Sequence, residues 1–177
     1  MVLLPRTMLL LSRLKKSKKG SAALEFALVA PPFFLLLFAT FDIALMFFAA
    51  TTLENGIIAA ARLIRTGQVQ AMNMTQQQFR TMICGDISML LSCDSRLGID
   101  VRTYNGFGNV QWNAALDQNG NLAANMQFQP GGPEDVVVVR AFYVWPVLTP
   151  GVGSAFSNMA NGQRLLEASI AFRNEPF

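Results

Sequence analysis

An α+β fold is expected, built from a long N-terminal helix, a second shorter helix and a small antiparallel sheet. Three features lead there: an apolar run from Ala22 to Ala50, a helical repeat that continues past it to Ile64, and three later stretches with strand character. At 177 residues the chain holds one modest domain plus an appendage.

Composition narrows the function before any motif is read. Only 14% of residues are charged, against about 25% in ordinary soluble domains, which favours attachment to a membrane. There is no histidine, so the commonest general base, the commonest zinc ligand and every Ser-His or Cys-His nucleophile system are excluded. The scattered acids Asp86, Asp94 and Asp100 form no catalytic constellation, and no enzyme, cofactor, metal or small-molecule substrate is expected. Charge is unevenly placed. Arg6, Arg13, Lys15, Lys16, Lys18 and Lys19 precede residue 20 without an acid, and no lysine follows Lys19. A basic flank beside an apolar run fits the positive-inside rule, not a nucleic-acid footprint.

The run from Ala22 to Ala50 is 29 residues long, interrupted only by Glu25, Pro31, Pro32, Thr40 and Asp42. A membrane-spanning helix needs about 20 apolar residues. Glu25 and Asp42 are 17 positions apart, roughly 25 Å along a helix, so each sits near one face of a bilayer about 30 Å thick. Asp42 is expected at the outer edge, hydrated by headgroups. Glu25 needs a partner. A cut between Gly20 and Ser21 would place a cationic α-amine one helical turn away, and the amine of a neighbouring molecule would serve equally. Pro31 and Pro32 remove backbone hydrogen bonds, either to bend the helix for assembly or as tolerated membrane prolines. A secretory signal peptide fits poorly because the run far exceeds an h-region.

Beyond the run, Leu53, Ile57, Ala60 or Ala61 and Ile64 recur at helical spacing, with Gly67 as the C-cap. Arg62 and Arg65 share one side, read as solvated surface or a contact for an acidic partner. Asn73, Met74 and Thr75 spell a glycosylation sequon, but Thr75 with Gln78 reads as a capping box opening the second helix. Phe79, Met82, Ile83 and Leu90 form its apolar face. Cys84 and Cys93 are the only cysteines, and outside the cytoplasmic membrane they would form a disulfide, with Gly85 loosening the turn between them.

Three strands are expected. Gly98 to Tyr104 alternates, Asp135 to Pro146 is apolar on both faces apart from Arg140 as a central strand would be, and Leu165 to Arg173 sets Leu166, Ala168, Ile170 and Phe172 on one side. Between the first two, Asn105 to Asp135 reads as turns or a weak hairpin, with Asn-Gly pairs at 105 and 119. Trp112 and Trp145 are read as packing residues.

Lys18, Lys19 and Gly20, followed by Ser21, Ala22, Ala23, Leu24, Glu25 and Phe26, resemble the processing signal of type IV prepilins. The continuation resembles the TadE-like branch, the pseudopilins of the tight-adherence (Flp) pilus system, over about the first 70 residues. The shared points are Phe26 after the glutamate, a proline within two turns, Asp42 after the aromatic Phe41, and the pair Ala61 and Arg62 closing a small-residue helix. Phe26 and the large C-terminal part depart from major pilins and point to a minor pseudopilin.

The resemblance implies a pilin-like fold and cleavage after Gly20 by a prepilin peptidase. It also implies helix contacts from the Phe33 to Phe48 face, with other pilins or pseudopilins and the inner-membrane pilus platform as partners. The expected organisation is a cytoplasmic basic leader over 1–20, a transmembrane helix over 21–50, its periplasmic continuation over 51–70 and a periplasmic α+β domain over 71–177. The chain would be a single-pass inner-membrane protein, available for incorporation into an extracellular pilus. The competing reading is an uncleaved single-pass envelope protein whose periplasmic domain binds or scaffolds.

Overall fold

One helix, α1, runs from Ser21 to Arg65. The computed structural model describes residues 20–149 and 153–177, so the basic leader with Lys18 and Lys19 lies outside the described residues. The chain divides into two compact units that part after Thr40, and α1 contributes residues to both.

In the first unit every large apolar side chain from Leu24 to Phe38 is exposed. Pro31 and Pro32 lie inside the helix. Lacking N–H groups, they leave the carbonyls of Ala27 and Leu28 without their regular donors. Phe34 stacks on Phe38 with centroids 6.1 Å apart, the i to i+4 spacing that brings helical side chains together. The Thr40 hydroxyl donates to the Leu36 carbonyl at 2.8 Å, so its one donor is satisfied within the helix.

In the second unit the same helix has a covered side. Ala49, Leu53, Ile57, Ala60, Ala61 and Ile64 are buried, in steps of three or four that keep one face turned to a core. Gly67 follows at φ +76°, the left-handed setting that ends a helix. The Phe177 ring occupies the space a Cβ at Gly67 would need. A short helix, α2 (Gln68–Ala71), comes next.

The second full helix, α3 (Gln76–Ile87), opens on the expected capping box. The Thr75 Oγ1 accepts from the Gln78 N–H at 3.3 Å, and the Gln78 Oε1 accepts from the Thr75 N–H at 2.8 Å. Its buried face is Phe79, Ile83 and Ile87. Gly56 of α1 permits close approach to this helix: a Cβ there would meet Ile87 Cγ2 at 2.6 Å. Gly85, expected in a turn, is inside α3 instead, and the chain turns only after Ile87.

The sheet has three antiparallel strands, β1 (Leu97–Tyr104), β2 (Val136–Trp145) and β3 (Arg164–Arg173), in that order. The register sets Val101 opposite Val139 and Val139 opposite Ile170. All ten residues of β2 are buried, as a central strand covered on both faces requires. One face joins α1 and α3 in the main core through Val137, Val139, Ala141, Tyr143 and Trp145. The other face supplies Phe142 and Val144 to a smaller cluster with Met159 and Leu165. The expected side of β3 divides: Leu166 and Ala168 are buried while Ile170 and Phe172 are partly covered.

The segment 105–135 serves as cover for the sheet more than as a hairpin. A single antiparallel bridge joins Leu116 and Leu122 around Gly120, which has φ +73°. Gly106 is extended at φ 174°, so the first Asn-Gly pair is not the turn its spelling suggests. Residues near Gln127 line the outer edge of β1, with the Val101 N–H donating to the Gln127 carbonyl at 2.8 Å and the Gln129 N–H to the Val101 carbonyl at 2.9 Å. A one-turn helix, α4 (Gly153–Phe156), precedes β3. The architecture is the expected α+β fold.

Candidate functional site: the apolar helix and its carboxylates

The apolar helix carries the residues that the sequence singles out. Gly20 is exposed and immediately precedes α1, which begins at Ser21. Ser21, Ala22, Glu25 and Phe26 are all exposed, Phe26 by 70%. Ser21 and Glu25 are thus one turn apart on the same side of a helix. A group attached at residue 21 and the Glu25 carboxylate are neighbours by helical geometry alone. Phe33 packs edge-on against Phe34 with centroids 5.5 Å apart.

Asp42 behaves differently. It is 3% exposed, which corrects the expectation of a carboxylate hydrated by headgroups. Its Oδ2 accepts from the Leu148 N–H at 2.9 Å and from the Thr149 N–H at 3.0 Å. The loop after β2 therefore comes back to the helix and donates to this acid, 106 residues away in sequence. Two charge-assisted bonds to backbone amides are what a buried carboxylate requires. Its Oδ1 is buried with no hydrogen-bond partner among the described residues. Phe41, beside it, is exposed by 59%. No local signal in the sequence announces this contact, because neither the loop nor the helix bears a motif for it.

Cys84 and Cys93 form a disulfide with Cα atoms 5.8 Å apart, as expected. The bridge fastens the loop after α3 to that helix. The same loop is tied to the sheet where the Ser92 N–H donates to the Tyr143 hydroxyl at 3.1 Å. Arg80 adds hydrogen bonds to the carbonyls of Cys93 and Asp94.

Several other polar residues make contacts within the fold. Arg140, 7% exposed in the central strand, donates to Glu167 at 2.8 Å and to the Asn113 carbonyl at 2.8 Å. Its guanidinium also lies 4.7 Å from the Phe142 ring centroid and 5.7 Å from that of Trp112, a cation held between aromatic faces. Asp100 pairs with Arg102 at 2.8 Å and accepts from the Gln127 N–H at 2.7 Å. Asp94 lies outside the apolar helix, and its hydrogen bonds to the Arg96 side chain hold its carboxyl down at about 2. Arg62 and Arg65 are exposed along a groove of 330 Å³ that Ile170 and Phe172 also line, and Arg65 pairs with Glu175 at 3.2 Å. Among the described residues no group of histidine, cysteine or acidic side chains is arranged to hold a metal ion.

Among the described residues one helix is long and apolar enough to cross a membrane, and it continues into a compact α+β unit, which defines the class of protein. A family model described as TadE-like protein matches residues 20–62. The match begins at Gly20 and ends at Arg62, so it takes in the predicted processing residues, both carboxylates and the Ala61-Arg62 pair. The segment is TadE-like, which supports a place among the TadE-like proteins of the tight-adherence pilus system. No curated protein and no solved structure matches the chain.

Proposed function

We propose that the chain is a minor pseudopilin, a non-enzymatic subunit that takes part in assembly of a tight-adherence pilus. The helix from Ser21 inserts with the basic leader on the cytoplasmic side, as the lysine placement favours. A prepilin peptidase cuts after Gly20, and the new Ser21 amine and the Glu25 carboxylate neutralise each other within one turn or between neighbouring helices. The α+β unit lies on the periplasmic side, where oxidising conditions suit its disulfide. The exposed phenylalanine-rich helix then packs against other pilins at the inner-membrane platform.

The TadE-like match that begins on Gly20 carries this reading. A stretch of the helix from Leu24 to Phe38 with every large apolar side chain uncovered supports it, since such a surface calls for lipid or other helices around it. Mass spectrometry of the chain recovered from bacterial envelopes tests it. A mature N-terminus at Ser21 is expected. Material that uniformly retains Met1 would overturn the pseudopilin reading in favour of an uncleaved single-pass envelope protein.

A further inference from the structure

We propose that the loop after β2, residues 146–149, is a second membrane contact. It lies in the lipid–water boundary beside the helix, with Leu148 as its exposed apolar side chain and Asp42 as its fastening. This rests on the membrane-spanning reading above.

The depth follows from counting. Ser21 to Thr40 is 20 residues, about 30 Å of helix at 1.5 Å per residue, which uses up the hydrocarbon thickness. Phe41 and Asp42 therefore fall at the far boundary. Whatever is hydrogen-bonded to Asp42 is held at that level, and Leu148 and Thr149 are.

The chemistry of both elements suits that level. Phe41, Leu45, Phe47 and Phe48 are exposed on the helix, and Leu148 is 59% exposed on the loop. A lone exposed leucine would mean nothing, but this one adjoins a helix surface that is already apolar and uncovered. No charged residue occurs between Asp42 and Glu54, nor between Arg140 and Arg164, so neither element brings a charge that lipid would resist.

The hydrogen bonds then acquire a reason. Non-helical backbone near hydrocarbon is costly unless its N–H groups are paired. Pro146 has none to pair, and Asp42 takes those of Leu148 and Thr149, two of the remaining three. An acid within an otherwise apolar helix is here the acceptor that allows an irregular loop to face lipid.

The test places an environment-sensitive thiol label on the full chain, reconstituted in vesicles of phosphatidylcholine and phosphatidylglycerol. Single variants Leu148→Cys, Val29→Cys and Met89→Cys are labelled without reductant, so that the native disulfide stays closed. Met89 is 98% exposed and reports water. Lipids carrying nitroxide at shallow or deep positions serve as quenchers. Position 148 should show blue-shifted emission lost mainly to the shallow nitroxide, position 29 loss mainly to the deep one, and position 89 neither. In Asp42→Ala the shallow quenching at 148 should fall while that at 29 persists; Asp42→Asn, which keeps an acceptor oxygen, should resemble the parent. A label at 148 that matches position 89 while position 29 is quenched overturns the inference and leaves the span intact. Shielding of 148 only when other pilins are added overturns it in favour of a protein contact. No quenching at position 29 defeats the span itself, and the inference with it.

Discussion

The first stretch of α1 is the more apolar, and the two have opposite fates. From Leu24 to Phe38 every large apolar side chain is exposed, whereas from Ala49 to Ile64 a continuous stripe is buried. Hydrophobicity therefore does not decide which part joins the core. Spacing does: Ala49, Leu53, Gly56, Ile57, Ala60, Ala61 and Ile64 place small and branched residues on one face, slim enough for α3 and the sheet to approach. The earlier stretch is bulky all round, with Phe33, Phe34, Leu35, Leu36, Leu37 and Phe38 in succession. A helix of that kind has no preferred face for a water-soluble core and suits lipid or a bundle of like helices.

This contrast can be broken most sharply at Glu25. Glu25→Ala should leave membrane insertion and the folded α+β unit unchanged while abolishing or severely reducing pili, scored by electron microscopy of cells and by sheared filament yield. Normal piliation would remove the assembly role of the first stretch. Next, Ile57→Ala in the buried stripe should destabilise the chain by about 2–5 kcal/mol in urea unfolding of the detergent-solubilised protein. Leu36→Ala in the exposed stretch should shift the same transition by no more than about 0.5 kcal/mol. Equal losses at the two sites would erase the distinction drawn here.

Reducing the Cys84–Cys93 bridge should lower stability by roughly 2–3 kcal/mol, read from the unfolding midpoint with and without reductant. Labelling of both thiols on unreduced, exported protein would show that the bridge does not form. Gly56→Ala is a finer probe, because the added methyl meets Ile87. Overpacking of that kind costs about 1–3 kcal/mol, partly offset by better helix propensity, so a net loss in the unfolding midpoint is expected and a gain would mean α1 and α3 pack less closely.

The smallest effect concerns Asp94. Its folded-state carboxyl is lowered from 3.8 to about 2 by Arg96, so its contribution is present above pH 3.8 and is lost as pH falls through about 2. The pair is solvent-exposed, with side-chain exposures of 49% and 33%, and water screens it strongly. Asp94→Asn should flatten the acid limb of the stability profile slightly, measured as the urea midpoint between pH 4 and pH 2; an unchanged limb would show that the exposed pair contributes nothing.

What the sequence made legible was local. The Thr75 and Gln78 pair, the αL glycine at 67, the β2 strand apolar on both faces apart from Arg140, and the alternation of β3 each follow from neighbours within a few residues, and each is where it was expected. Long-range chemistry was not readable. Asp42 meets Leu148 across 106 residues, Asp100 meets Gln127 across 27, and Arg140 meets Glu167 across 27. In each case burial decides the outcome, and a lone acid or arginine in an apolar stretch gives no sign of its partner. The Asn-Gly pair at 105 and the glycine at 85 misled because composition signals a permitted conformation, not the one that packing selects.

The stripe from Ala49 to Ile64, with Asp42 two turns before it, also has a mechanical meaning. Tension applied along α1 would act on these contacts in shear, so that several helical turns must slip together before any one lets go. A chain fastened in this way would resist being drawn apart lengthwise far better than one hinged on a single flexible connection.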